Sequence, residues 1–274
     1  MTNLTVNGKE IEQVESFLCL GSIVTTDGGA EEDVRSRIRK ANEEEFPELG
    51  DEYQGDIMLP FSMTRSENSK NAVSISSMLW PGGVIPYVFH SDVSDPRRMQ
   101  IRKAMSVIEE GTCIRFIPWS NEAQHIEITS RSGAGCYSMV GRQVGVGGSQ
   151  PVNLEYPGCF TKIGTIEHEL LHVVGLLHEQ ARPDRNKFVE IKWQNIEKDH
   201  WPDFYKAPED KVSTFGVPYG YKSIMHYPKN AFTKNGKPTI VSKMNPNLEL
   251  GQRDAPTKND LLKVRRMYRC PNTP

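Results

Sequence analysis

The stretch HELLHVVGLLHEQARPDR, from His168 to Arg185, constrains the fold most, because it holds three of the seven histidines of the chain. On an α-helix each residue turns about 100°, so His168 and His172 lie about 40° apart on one face, one turn from each other. Two imidazoles in this arrangement suit a single metal ion. The spacing therefore predicts a helix that carries a pair of metal ligands.

A third histidine, His178, could not reach the same ion if the helix continued, since it would point about 100° away and lie roughly 9 Å further along the axis. Gly175 resolves the conflict, because glycine adopts positive φ at little steric cost and commonly ends helices. The chain can then turn and bring His178 back to the ion. Three neutral nitrogen ligands leave zinc an open position for water, which is typical of a catalytic site. Glu169 leans toward this site and is not needed as a ligand.

An ordinary buried helix with incidental histidines is the alternative interpretation. Apolar residues do follow a helical period through this stretch, at Ile163, Ile166, Leu170, Val173 and Val174. The pattern HExxHxxGxxH fixes five positions, however, and this favours the metal site over the accidental match.

The same pattern, followed by Glu-Gln and RPDR, resembles the astacin family of zinc endopeptidases, a branch of the metzincins. Other blocks match the family in order: WPGGVIPYVF (80–89), GCYSMVGR (135–142), ARPDRNKFVEIKWQNI (181–196), SIMHY (223–227) and LGQRDAPTKNDLLKVRRMYRC (250–270). The resemblance implies an α+β, zincin-like protease of two lobes. A twisted N-terminal sheet and the zinc helix would face an irregular C-terminal lobe across a cleft.

The resemblance also implies a mechanism with one Zn²⁺ per chain. Zinc held by His168, His172 and His178 would lower the pKa of bound water toward ~7 and polarise the scissile carbonyl. Glu169 would take the proton of the water as general base and pass it to the leaving amine. Protein or peptide substrates follow from this chemistry.

The SIMHY block resembles the metzincin Met-turn. It implies that Met225 forms an apolar floor beneath the zinc, which differs little from an ordinary core methionine. Tyr227 matches a tyrosine that can bind zinc as a fifth ligand and swing away to steady the oxyanion. A purely structural tyrosine is the alternative. His226 is expected to be structural, because three histidines already fill the site.

Three regions divide the chain: an extension (1–42), a pro-segment (43–70) and the catalytic domain (71–274). Residues 1–42 resemble a fragment near the end of non-LTR retrotransposon reverse transcriptases, without a catalytic carboxylate pair. An atypical pro-segment with an accidental likeness remains the alternative. The N-terminus, MTNLTVNGKEIEQVE, has neither the basic start nor the apolar core of a signal peptide.

The pro-segment contains Tyr53-Gln54-Gly55-Asp56. Astacin pro-segments carry a similar Phe-x-Gly-Asp, which implies that Asp56 binds zinc in the latent form and displaces water; an ordinary acidic turn is the alternative. Lys70, or else Arg65, suits cleavage by a trypsin-like activating protease. The family implies that the freed amine of Asn71 then meets Glu179.

Four of the five cysteines, Cys113, Cys136, Cys159 and Cys270, lie in the protease-like region. Four cysteines allow three pairings, and spacing does not choose between them. The resemblance implies Cys113–Cys270 and Cys136–Cys159, and hence secretion into an oxidising compartment. Four free buried thiols are the alternative, and Cys19 is left over.

The composition argues against nucleic acid and membrane as binding partners. The formal net charge of −2 gives no sign of a nucleic-acid surface, and no apolar run is long enough to span a membrane. We expect a monomer. Two rival functions remain: a catalytically inactive protein that retains the zinc site, and a retroelement-derived nucleic-acid binder, which would require basic clustering in residues 1–42.

The remaining pattern predicts several elements of the domain. We expect strands at Val84–Phe89, Cys113–Ile117, Ile126–Ile128 and Tyr137–Val140. We expect helices from the Ser94-Asp95-Pro96 cap to Gly111 and from Lys258 to Tyr268, and a loop over the glycine-rich residues 141–150. The strand near Tyr137–Val140 should line the cleft and pair with an extended substrate.

Overall fold

The computed structural model describes residues 78–143 and 148–273, residues 54–58, residues 47 and 49, and four short strands between residues 5 and 25. These four strands form two antiparallel pairs, β1 (Thr5–Val6) with β2 (Lys9–Glu10) and β3 (Ser16–Cys19) with β4 (Ser22–Thr25). They lie within the predicted extension. The predicted junction residues Arg65, Lys70 and Asn71 lie outside the described residues.

A five-stranded sheet supports the N-terminal lobe, which we define as residues 78–175. Its strands are β5 (Val84–Phe89), β6 (Arg115–Pro118), β7 (Gln124–Thr129), β8 (Cys136–Ser138) and β9 (Gly148–Leu154). They stand in the order β6-β5-β7-β9-β8, and all pair in parallel except β8 with β9. Because β8 is the edge strand, its outer side can pair with another segment.

The predicted strands are confirmed: β5 has the predicted ends, and the other three have shifted ends. The strand expected at Cys113–Ile117 begins at Arg115, and the one expected at Tyr137–Val140 ends at Ser138. The loop prediction for residues 141–150 is wrong at its end, since β9 begins at Gly148. A glycine with a φ of 93° and a proline at position 151 disguise this strand, because both residues are rare inside strands.

Two helices, α1 (Asp95–Gly111) and α2 (Ile163–Val174), pack against each other, and each also contacts the sheet. The predicted apolar face of α1 is buried in the core. Ser94 is the N-cap of α1, but its side chain makes no capping bond; its carbonyl accepts the Arg98 N–H instead, at 2.9 Å. Helix α2 is buried from Gly164 to Val174, so the predicted metal helix lies in the core.

The C-terminal lobe, residues 176–273, has little regular structure. It contains short 3₁₀ turns, a two-stranded sheet of β10 (Val189–Ile191) and β11 (Ile240–Ser242), and helix α3 (Lys258–Met267). Its separate apolar cluster includes Phe204 and Tyr227. Helix α3 ends one residue before the predicted Tyr268, and its Val264 and Met267 pack into the core of the N-terminal lobe.

Two disulfides join distant parts of the domain. They are Cys113–Cys270, which links the start of β6 to the end of α3, and Cys136–Cys159. This is the pairing that the family resemblance implies. The alternative prediction, four free buried thiols, is therefore wrong. Among the described residues, no helix combines the length and the apolar character needed to cross a membrane.

Candidate metal centre

The end of α2 explains how three histidines reach one point. Gly175 has a φ of 122°, which favours glycine, and its N–H donates to the carbonyls of Leu171 and His172. The chain then reverses, and His178 returns to the face of α2. The structure therefore brings all three predicted histidines together, each with at most 1% of its surface exposed.

Each imidazole is held through its Nδ1 atom by an oxygen. Nδ1 of His168 lies 2.7 Å from the Ile224 carbonyl, and that of His172 lies 2.7 Å from the Leu176 carbonyl. Nδ1 of His178 lies 3.0 Å from Oε1 of Gln54. Because these oxygens only accept hydrogen bonds, Nδ1 carries the proton in each ring, and the lone pair is on Nε2.

The three Nε2 atoms converge. Nε2 of His172 lies 3.1 Å from that of His168 and 3.3 Å from that of His178. Zn–N bonds of about 2.0–2.1 Å in tetrahedral geometry would separate nitrogens by roughly 3.3 Å. Lone pairs so close repel one another unless a cation lies between them, so this geometry fits zinc.

Burial favours the neutral form of two of the ligands, His168 and His178. Burial lowers the pKa of His168 well below its usual value, and the nearby charge of Arg253 lowers it further. Burial is also the main cause that lowers the pKa of His178. Neutral imidazole is the form that binds a metal, so burial favours the form of His168 and His178 that a metal ion needs.

Asp56 completes the group. One of its carboxylate oxygens lies 2.8 Å from Nε2 of His168 and 3.2 Å from Nε2 of His178, and the other lies 3.5 Å from Nε2 of His172. The four candidate ligand atoms lie within 4.8 Å of one another, and all four residues are buried. Asp56 thus stands where the fourth ligand of a tetrahedral ion belongs.

The segment around Asp56 pairs with the sheet edge. Ile57 forms a parallel bridge with Ser138 of β8. The Ser138 N–H donates to the Asp56 carbonyl, and the Met58 N–H donates to the Ser138 carbonyl, both at 2.9 Å. Gly55 has a φ of 84°, which lets the backbone turn toward the metal centre. Residues 54–58 therefore lie along the outer edge of β8, the strand with which a substrate was predicted to pair.

Contacts from the C-terminal lobe hold the same segment. The Gln54 N–H donates to Oδ1 of Asp203, at 2.9 Å, and the Tyr227 hydroxyl donates to the Gln54 carbonyl, at 2.5 Å. The Tyr227 ring lies against His178, with centroids 4.8 Å apart. Tyr227 is thus beside the metal centre, and its hydroxyl is engaged by the segment.

Glu169 lies on α2 beside the ligands. Its Oε2 accepts a hydrogen bond from the Ser138 hydroxyl, at 2.8 Å, and the residue is buried. Ser138 therefore contacts Glu169 through its side chain and the Asp56 segment through its backbone. A carboxylate at this place is suited to accept a proton in the cleft.

Met225 and Glu179 contact each other through their backbones. Met225 is buried with the core of the N-terminal lobe, and its carbonyl accepts the Glu179 N–H at 2.8 Å. The position of Met225 beneath the ion remains a prediction. Glu179 is buried and paired with Lys263 and Arg182. Asn71 lies outside the described residues, so its pairing with Glu179 also remains a prediction.

Several residues that hold the site were not predicted from the sequence. Gln54 and Gln180 stand inside quoted motifs but were given no role; Gln180 accepts the Tyr227 N–H through its Oε1, at 3.0 Å. The Asp260 carboxylate accepts a hydrogen bond from the Ile224 N–H, at 3.1 Å. The Thr-x-x-Asp pattern signals the start of α3, but no local pattern reveals this distant contact. Asp203 and Lys263 likewise carry no local signal.

Comparison with known proteins gives a consistent result. A family model described as Astacin, a peptidase family, matches residues 72–269. Zinc metalloproteinase nas-14 of Caenorhabditis elegans is 39% identical over 201 residues, which are 73% of this chain and 39% of that protein. Low choriolytic enzyme of Oryzias latipes is 38% identical over 245 residues, 87% of this chain and 84% of that protein.

A solved structure agrees with the fold. High choriolytic enzyme 1, a hatching enzyme zinc-protease from Oryzias latipes, superposes with a TM-score of 0.65 and 37% identity, covering 71% of this chain and 96% of that one. Coverage of longer relatives is smaller, since the chain spans only 39% of the length of nas-14.

Proposed function

Because this chain belongs to the astacin family of zinc metallopeptidases, we propose that residues 71–274 are a zinc endopeptidase domain, made here as a latent precursor. The observation that carries the proposal is the buried group of His168, His172, His178 and Asp56. Three neutral imidazoles are a catalytic ligand set, and the carboxylate occupies the position that a reaction needs open.

The three histidines would hold the ion through Nε2. Zinc bound there would supply a Lewis acid, which acidifies water and polarises the scissile carbonyl. Glu169 accepts a proton on its carboxylate and returns it to the leaving amine. The Ser138 hydroxyl, at 2.8 Å from Oε2, orients that carboxylate.

Tyr227 would steady the developing oxyanion with its hydroxyl. In the precursor this hydroxyl donates to the Gln54 carbonyl, so it is already poised to donate to an oxygen in the cleft. As long as the segment stays, no substrate can receive that hydrogen bond.

Latency would arise from residues 54–58. Asp56 takes the fourth ligand position, and the backbone on either side of it is hydrogen-bonded to Ser138. These contacts fill the sheet edge that an extended substrate would use. A trypsin-like protease that cuts after Lys70, or after Arg65, would release the block.

The two disulfides suit an oxidising compartment, so the proposal includes secretion, with the protein acting outside the cell as a monomer on protein or peptide substrates. Residues 1–42 remain a proposed retroelement-like extension, and residues 43–70 a proposed pro-segment.

The test compares three samples on one protein substrate: uncut precursor, uncut Asp56→Ala and trypsin-cut wild type. The cut protein should hold one zinc and cleave the substrate, and Asp56→Ala should weaken the block in the uncut chain. A cut protein that holds zinc but cleaves nothing would instead be the inactive zinc-binding relative. Equal activity in uncut and cut wild type would make residues 43–70 a linker.

A further inference from the structure

The environment of Glu179 carries an inference about how the metal centre is assembled. Glu179 follows the third ligand, His178, and only 1% of its side chain is exposed. A carboxylate buried so deeply is costly unless charges and hydrogen bonds compensate it. Its partners therefore decide whether the turn that carries His178 is held in place.

Two cations already compensate Glu179 in the precursor. Nζ of Lys263 lies 2.5 Å from one carboxylate oxygen, and Nη1 of Arg182 lies 2.9 Å from the other. The Gly220 N–H donates to the second oxygen as well, at 2.8 Å. Two cations and one backbone N–H therefore compensate the buried carboxylate.

The cluster is also balanced in charge. Arg182 makes a two-point contact with Asp184, through Nε and Nη2, at 2.9 Å each. Lys263 and Arg182 thus face Glu179 and Asp184, two cations against two anions. A further ammonium group here would add an excess positive charge beside buried groups.

Helix α3 connects this cluster with another ligand. Asp260, one turn before Lys263, accepts hydrogen bonds from the Ser223 hydroxyl and the Ile224 N–H. The Ile224 carbonyl in turn holds Nδ1 of His168. One helix therefore supports the surroundings of two ligands, His168 through Asp260 and His178 through Lys263.

From these contacts we propose that Lys263 is a positioning residue that supplies, from within the folded chain, the cation that holds Glu179. The metal centre is then assembled before any cleavage, and the amine of Asn71 is not needed to form it. Activation consists of removing the Asp56 segment. This inference rests on the proposed zinc peptidase function, and it makes Lys263 a support of His178 rather than a catalytic residue.

The test uses the full uncut chain loaded with cobalt(II), whose visible absorption reports ligand geometry. Uncut Asp56→Ala should give the same spectrum as trypsin-cut wild type and should cleave a peptide substrate without being cut, with mass spectrometry to verify that the chain is intact. Adding Lys263→Met to Asp56→Ala should change the spectrum and weaken zinc binding about 10- to 100-fold. Lys263→Arg should restore both.

The matched control is Lys258→Met, the same substitution at an exposed position of α3, which should change neither readout. Lys263→Met that behaves like Lys258→Met would overturn the proposal. So would an uncut Asp56→Ala whose spectrum reaches that of the cut protein only after cleavage. If the cut wild type cleaves no substrate, the proposed peptidase function is wrong. The role of Lys263 is tested separately, because the cobalt spectra and zinc affinities do not depend on cleavage of a substrate.

Discussion

The two lobes reach one metal centre by different means. The N-terminal lobe presents His168, His172 and Glu169 from one helix above a sheet with an apolar core, and the helical period places the two histidines on one face. The C-terminal lobe presents His178 and Tyr227 from irregular chain, which individual side-chain hydrogen bonds hold in place. The helix fixes where its two histidines lie, whereas the irregular chain relies on single polar contacts, and one of its carbonyls also orients the ring of His168.

The largest effect is expected at Glu169, the proposed proton acceptor on helix α2. Glu169→Gln should lower kcat/KM by about 10²- to 10⁴-fold, because the proton acceptor is lost while the shape is kept. Zinc content and the thermal midpoint should stay near those of wild type. Steady-state kinetics of the cut enzyme, with exposed Glu110→Gln as control, measures this; normal turnover in Glu169→Gln would refute the assigned role.

A core substitution in the sheet should affect stability and little else. Ile128 of β7 is fully buried, so Ile128→Ala should lower the free energy of unfolding by about 2–5 kcal/mol. The zinc affinity of the folded protein should be unchanged, since no polar contact to the ligands is removed. Denaturant unfolding and a competitive zinc titration test both parts, and a large loss of zinc affinity would break the contrast between the lobes.

A substitution at Asp260 should affect zinc binding as well as stability, because its carboxylate accepts hydrogen bonds from the Ser223 hydroxyl and the Ile224 N–H. Asp260→Asn should lower the free energy of unfolding by about 1–3 kcal/mol. It should also weaken zinc binding by about tenfold, because the Ile224 carbonyl orients His168. Exposed Asp254→Asn is the control. A loss of stability with unchanged zinc affinity would show that the Asp260 contacts stabilise the fold but do not orient His168.

The smallest effect concerns Tyr268, which links the lobes. Its hydroxyl donates to the Val174 carbonyl and accepts the Trp80 N–H. Tyr268→Phe should cost about 1 kcal/mol near neutral pH. Burial raises the pKa of Tyr268 to about 12, so its contribution is present below the ordinary tyrosine pKa of about 10 and is lost as the pH rises toward 12. Unfolding curves of both proteins, measured up to alkaline pH, should therefore converge; a constant difference would contradict this.

Sequence reasoning succeeded where the pattern is local. The helix that carries His168 and His172, the turn at Gly175 and strand β5 follow from periodicity and glycine chemistry. It failed at β9, where Gly148 and Pro151 disguise a strand that only its neighbours in the sheet stabilise.

The contacts that orient the ligands were out of reach for a different reason. Lys263 and Glu179 lie 84 residues apart, and Gln54 and Asp203 lie 149 apart. Propensity and spacing describe neighbours along the chain, so they do not show which side chains meet when two lobes close on each other. The ligand set was readable, and its supports were not.

The Cys113–Cys270 bond makes the domain a covalent ring. It closes a loop over a separation of 157 residues, and that loop contains all three histidines. A protease that cuts a surface loop within the ring opens the chain but releases no fragment. In the chain-entropy picture the same closure restricts the unfolded chain by roughly 5 kcal/mol. The ring is thereby protected against being cut apart: a nicked domain migrates as one molecule until it is reduced.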